Sequence, residues 1–149
     1  MIKYVNGDLF RAKEEILIHG CNCFNTMGAG VARMVKTYYP EAAIVDLETE
    51  YGSKEKLGSY TCTDAIPHYY RGQSIVIVNA YTQYSLGGNR VNVDYDAVRK
   101  VMEEIKEDFK GYTKCMPKIG AGLAGGDWNK IERIINEVIG SEEIVVYYI

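Results

Sequence analysis

The segment from Ile16 to Ala32 constrains the fold more than any other. An apolar strand, Ile16-Leu17-Ile18-His19, passes directly into the polar, glycine-spaced loop Gly20-Cys21-Asn22-Cys23-Phe24-Asn25-Thr26-Met27-Gly28-Ala29-Gly30, and Val31 and Ala32 then open a helix. A continuous apolar strand of this kind is buried on both faces. Glycines at the mouth of a helix let backbone N–H groups close on an anion, and the N-terminal end of the helix dipole adds partial positive charge there. The segment has the architecture of a phosphate-binding site, so a phosphate-bearing ligand is the first expectation.

The rest of the chain alternates in the same manner. Ile2 to Val5 reads as a short strand followed by the Asn6-Gly7-Asp8 turn. Val31, Met34, Val35 and Tyr38 recur at helical spacing as far as Pro40, which opens a second helix running to about Tyr51 and closed by Gly52. Further strands are expected over Tyr60 to Ile66, Ser74 to Ala80, Lys114 to Ile119 and Ile144 to Tyr148, with a hairpin from Ile66 to Gly72 that exposes His68. Asp94 caps a helix whose Val98, Val101, Met102, Ile105 and Phe109 share one face, and Asp127 starts another with Ile131, Ile134, Ile135 and Val138 inward. Strands alternating with helices make an α/β protein, a sheet covered on both faces in three α/β/α layers. With 149 residues and no linker or repeat, the expectation is one domain over residues 1–149. Ligands in such folds bind outside the carboxyl ends of strands, where the loops after His19, Ala80 and Ile119 can converge on one cleft.

Composition narrows the partners. A net charge of -3 excludes a broad basic surface, which disfavours nucleic-acid binding through Arg33, Lys36 and the Arg90 loop. Oriented backbone amides must then do most of the work on an anion. No apolar run is long enough to cross a bilayer and the N-terminal residues lack a signal-peptide core, so the chain reads as intracellular, in the cytoplasm. Cys21, Cys23, Cys62 and Cys115 are irregularly spaced and are expected as reduced thiols, mostly buried. The single residue between Cys21 and Cys23 does not suit a zinc pair, and no metal is expected. Thirteen tyrosines exceed what the core needs, and some are candidates for ligand-stacking walls.

A second glycine loop lies late in the chain, Lys118-Ile119-Gly120-Ala121-Gly122-Leu123-Ala124-Gly125-Gly126. Backbone so poor in side chains can wrap a diphosphate. It is neither a Walker loop, lacking Gly-Lys-Ser or Gly-Lys-Thr, nor the dinucleotide fingerprint, whose spacing differs.

Taken together, Tyr4-Val5-Asn6-Gly7-Asp8-Leu9, the Ile16 to Ala32 segment, Met116 to Leu123 with Asp127-Trp128 behind it, and the closing Val145-Val146-Tyr147-Tyr148-Ile149 resemble a macrodomain. The resemblance covers essentially the whole chain and is narrower with the branch of ADP-ribose 1″-phosphate phosphatases and terminal ADP-ribose glycohydrolases. It implies a mixed central sheet and a cleft for ADP-ribose. By it, Asp8, with Leu9 beside it, would accept from the adenine amino group; the other reading of Asp8 is a turn cap after Gly7. Asn22 would meet the distal ribose, Met27, Gly28, Ala29, Gly30, Val31 and Ala32 would line that ribose and one phosphate, and Lys118 to Ala124 would embrace the diphosphate. Gly7, Gly20, Cys21 and Ile149 complete the implied contacts.

The catalytic candidates are His19, Asn22 and Asp127. His19 matches a histidine of the phosphatases and is either a general acid or base or a structural hydrogen-bonding residue. Asp127 is either a carboxylate base or a helix cap. The glycohydrolase pattern places a lysine and an aspartate where this chain has about Tyr81 and Ala124, which departs from a covalent lysine mechanism. The activity implied is hydrolysis of an ADP-ribose derivative, either ADP-ribose 1″-phosphate or an ADP-ribosylated acceptor. The alternative is a non-catalytic ADP-ribose reader. No cofactor is implied, nucleic acid enters only as an ADP-ribosylated substrate, and a monomer is expected.

Overall fold

The computed structural model describes residues 1–69, 72–88 and 90–149. Among these, six strands form one sheet: β1 (Ile2–Asn6), β2 (Ile16–Cys21), β3 (Tyr60–Ala65), β4 (Ile75–Tyr81), β5 (Lys114–Met116) and β6 (Ile144–Tyr148). Their spatial order is β1-β6-β5-β2-β4-β3. All neighbours run parallel except β3, which pairs antiparallel with β4 at the edge, so the sheet is mixed. The helices are α1 (Gly30–Tyr38), α2 (Pro40–Leu47), α3 (Tyr95–Asp108) and α4 (Trp128–Ile139).

The alternation of side chains across each strand divides the core in two. Ile16, Ile18, Val78, Ala80, Met116, Ile144 and Val146 face α3 and α4, whose Val98, Val101, Met102, Ile105, Ile131 and Ile135 return at helical spacing. Leu17, Ile75, Ile77, Cys115 and Val145 face the other way, toward Val35 of α1 and Ala42 of α2. The three layers follow from this pattern. Met34 and Val31 of α1, expected on its apolar face, are exposed, and Val35 carries the contact.

Three boundaries differ from the sequence reading by two residues or more. Strand β2 runs on through Gly20 and Cys21 because both still pair with β4, opposite Ala80 and Tyr81. Strand β5 stops at Met116 because Pro117 has no N–H for the ladder and the chain turns at once, Ile119 N–H donating to the Pro117 carbonyl. Helix α2 ends at Leu47, well short of Tyr51, where the Thr49 hydroxyl and amide both bond the Asp46 carbonyl. The expected hairpin from Ile66 to Gly72 includes Tyr70 and Arg71, which lie outside the described residues. His68 is exposed as expected, but its ring stacks on Tyr38 at 4.2 Å between centroids and bonds the Phe10 carbonyl. No helix among the described residues is long and apolar enough to cross a membrane.

Five parallel strands release their carboxyl ends along one edge of the sheet. The loops beyond β1, β6, β5, β2 and β4 therefore line up along that edge, and the site lies there.

Candidate functional site

The β2 exit loop is built by the carboxamide of Asn22. Its Oδ1 accepts from the Phe24 amide at 2.8 Å, and its Nδ2 donates to the Thr26 carbonyl and hydroxyl at 3.1 and 3.0 Å. This Asx turn swings the chain toward α1, whose N-cap is Ala29. Alanine offers no capping oxygen, whereas α3 and α4 are capped by the Asp94 and Asp127 side chains. The first amides of α1 are thus left facing the cleft, where an anion can take the place of a cap.

The β5 exit loop comes up opposite. Gly120 adopts φ of 74°, and a side chain there would press on Val93 at 2.7 Å. Gly126 approaches the Gly120 carbonyl so closely that a Cβ would lie 2.5 Å from it, and their backbones are joined by a 2.8 Å hydrogen bond. This pinch holds Gly122, Leu123 and Ala124 out as a backbone arch, with the Leu123 side chain reaching across to Gly30.

Between the two loops is a cavity of about 380 Å³. Of the residues expected around a ligand, it is lined by Gly20, Cys21, Asn22, the run Gly28 to Ala32, Lys118, Ile119, Gly120, Gly122, Leu123 and Ala124. Thr26, Gln83, Leu86 and Pro117 also line it and were missed. Thr26 was legible as the partner of an Asx turn; Gln83 and Leu86 carried no signal beyond lying in a loop at a strand exit. Met27 is buried under the loop against Cys21, Tyr81 and Ala43, and Ala121 packs on the α3 and α4 core. Gly7, Asp8, Leu9 and Ile149 do not line this cavity; they lie further along the same edge, where β1 and β6 end. Leu9 is buried in the core, and Asp8 is exposed with its Oδ1 on the Phe10 amide, the turn cap of the two readings. Lys118 connects the two regions, its ammonium standing 5.6 Å from the centre of the Tyr148 ring.

Of the catalytic candidates, His19 and Asp127 stand apart from the cavity lining. His19 has no exposed surface: it points from β2 into the α1 and α2 layer, and its Nε2–H donates to Asn79 Oδ1 at 2.6 Å. Burial depresses the imidazole to about 4, against the smaller opposing effect of the Asn79 bond, so it is neutral at neutral pH. From Asn79 the bonds continue, its Nδ2 to Thr61 Oγ1 at 3.1 Å, Thr61 to the Tyr81 hydroxyl at 3.0 Å and Tyr81 to Asp46 Oδ1 at 2.7 Å. Tyr81, near which the family lysine was placed, therefore points into the core, and Gln83 is the strand-exit residue that reaches the cleft. Asp127 is spent as the α4 cap, with Oδ1 accepting from the Asn129 amide at 2.9 Å, and does not line the cavity.

Among the described residues the cleft's polar side chains are thus Asn22, Thr26, Gln83 and Lys118, the last of them cationic. Cys21 also lines it, with its sulfur against the buried His19 ring, and burial pushes that thiol well above the usual cysteine range, so it is no thiolate. Among the described residues no group of three or more His, Cys, Asp and Glu is placed to hold a metal ion. Among the described residues no tyrosine lines the cavity. Among the described residues Cys21, Cys23, Cys62 and Cys115 are free thiols, and all but Cys62 are buried.

Known proteins resemble this chain over its whole length. No protein-family model matches it. It is 37% identical over 153 residues to an uncharacterized 17.5 kDa protein from the tk-vs intergenic region of Enterobacteria phage T4, covering 98% of this chain and 95% of that one. It is 27% identical over 173 residues to the ADP-ribose 1″-phosphate phosphatase of Saccharomyces cerevisiae, covering 98% and 97%. Among solved structures, the macrodomain of Thermus aquaticus DarG superposes with a TM-score of 0.76 at 21% identity, over 100% of this chain and 99% of that one.

Proposed function

Because the chain belongs to the macrodomain family, we propose that its cleft binds ADP-ribose and hydrolyses an ADP-ribose derivative, with ADP-ribose 1″-phosphate as the first substrate. One observation carries this reading: the uncapped N-terminus of α1 faces the Gly122 to Ala124 arch across a cavity that backbone, not charged side chains, mostly surrounds. A diphosphate suits such a place, since backbone N–H groups and a helix N-terminus neutralise it without a basic surface. Lys118 adds a positive charge. Asn22, whose N–H groups already go to Thr26, offers its carboxamide oxygen as an acceptor to a ribose hydroxyl, and the Thr26 hydroxyl stands beside it for an attacking water.

The chemistry follows from what lines the cleft. Among the described residues neither a carboxylate nor an imidazole lines the cleft, so the substrate must itself help manage the proton. A phosphate monoester can do so: water adds to phosphorus, the bond from phosphorus to the C1″ oxygen breaks, and ADP-ribose and inorganic phosphate leave. An ADP-ribosylated acceptor is the other substrate, and nucleic acid would enter only in that form. The reading calls for no cofactor, ADP-ribose being ligand or product.

The same lack of a lining carboxylate or imidazole among the described residues favours one second reading, a module that holds ADP-ribose without cutting. Calorimetric titration with ADP-ribose, followed by phosphate release from ADP-ribose 1″-phosphate, separates them. Saturable binding with phosphate release is expected; binding without release from any ADP-ribosyl substrate supports the reader. Failure of ADP-ribose to bind overturns both.

A further inference from the structure

Lys56 lies outside the cleft and is buried, at 8% exposure, at the end of a short 3-10 turn. A buried ammonium is costly unless its hydrogens find partners. Here Nζ donates to Asn25 Oδ1 at 2.6 Å and Thr49 Oγ1 at 2.9 Å, and stands 5.5 Å from the centre of the Tyr81 ring.

Asn25 belongs to the loop that leads from β2 to α1. Among the described residues it is the one non-glycine with positive φ, at 54°. Such a conformation persists where surroundings hold it. The Asn25 carboxamide is gripped entirely by the 49–56 segment, with Nδ2 on the Thr49 carbonyl at 3.0 Å and Oδ1 accepting from Thr49 Oγ1 at 3.2 Å as well as from Lys56. The next residue is Thr26, which receives both N–H groups of Asn22. Two more contacts press the same loop onto the same segment. Gly52 N–H donates to the Cys23 carbonyl at 2.8 Å, and the Phe24 ring meets Tyr51 edge-on at 5.3 Å.

We infer that Lys56 is a positioning residue for the cleft: its ammonium holds Asn25 in the left-handed conformation and, through Thr26, aims the Asn22 carboxamide at the ligand. The role in binding rests on the ADP-ribose reading above. Asn22 would otherwise have to be ordered by the ligand at the ligand's expense, which lowers affinity.

Two readouts test this on the full chain. In Lys56→Met, hydrogen exchange at the Phe24 amide, which is bonded to Asn22, should speed up about tenfold while the β4 amides stay protected; this needs no ligand. Calorimetry should show ADP-ribose affinity falling about tenfold. Asn25→Gly accepts the backbone conformation without the anchor, so it carries the test if Lys56→Met does not fold. The double variant should lose no more than either single one, since both cut the same connection. Unchanged Phe24 exchange, or independent losses that add, overturns the positioning role. Equal ADP-ribose binding by the unmodified chain and the variants overturns it while leaving the cleft reading intact. Absence of ADP-ribose binding by the unmodified chain sinks the cleft reading instead.

Discussion

His19 Nε2 lies 2.6 Å from the Asn79 carboxamide oxygen, joining β2 to β4 by side chains where their backbones already pair. The bond needs only a proton on Nε2, which the neutral ring can carry, and burial, outweighing the opposing effect of this bond, holds the imidazole at about 4. An unfolded chain's histidine titrates near 6.5. Between those two values the unfolded state binds more protons, so stability from this residue is complete above pH 6.5 and is lost as pH falls toward 4. The gap is worth roughly 3 kcal/mol. Urea titrations at pH 7, 5.5 and 4 should show this loss in the unmodified chain, and a shallower one in His19→Gln. Equal slopes in the two proteins would mean that His19 is not protonated on unfolding in this range.

Asp127 should behave as a cap. Replacing it with alanine removes the acceptor for the Asn129 amide and should cost about 1 kcal/mol of stability. Phosphate release from ADP-ribose 1″-phosphate should persist in Asp127→Ala below its melting range. Loss of turnover with unchanged stability would restore the carboxylate to catalysis.

The glycines of the two loops separate folding from binding. A Cβ added at Gly28 or Gly122 meets nothing within 4 Å, and neither residue has positive φ, yet both line the cavity. Gly28→Ala and Gly122→Ala should therefore fold as well or better, by up to about 1 kcal/mol, because alanine restricts the unfolded chain. Their ADP-ribose affinity should fall about tenfold, or 1.4 kcal/mol, as the methyl occupies ligand space. Thermal unfolding together with calorimetry checks both halves; unchanged affinity would place the ligand elsewhere.

Thr82 carries the one buried side-chain polar atom found without a hydrogen-bond partner among the described residues. A buried unpaired hydroxyl is unfavourable, and replacing it with a methyl of similar shape removes the penalty. Thr82→Val should raise stability by about 1 kcal/mol, read as a higher melting temperature. A fall would show that the hydroxyl is in fact satisfied.

What the sequence disclosed depended on whether the signal was local. The alternation of apolar strands with helical spacings such as Val98, Val101, Met102 and Ile105 is local, and it predicted the layers. The caps Asp94 and Asp127 were legible because a carboxylate before an apolar-periodic run has a short list of uses. The two glycine loops were legible as the walls of one cleft. His19 was legible as the end of a buried strand but not as a ring turned away from the cleft, because its environment is made by Asn79, far away in the chain, and by helix α2 laid over it. Gln83 and Leu86 were equally silent: which residue of an exit loop turns inward is decided by how β4 leaves the sheet. Lys56 was silent too, since a lysine in a polar stretch normally faces water.

Strand β6 lies between β1 and β5, with Ile2 beside Ile144 and Cys115 beside Val145. The two ends of the sequence are thus stitched into neighbouring positions, and the seam cannot close until most of the intervening chain is in place. Such long-range pairing slows folding, because the entropy of closing so large a loop is lost before the contact forms. A fragment lacking β6 would strip Lys118 of the Tyr148 ring and leave the Gly120 arch standing on an open sheet edge. The cleft is accordingly a property of the finished sheet: a partly folded chain carries both of its glycine loops and still has no site.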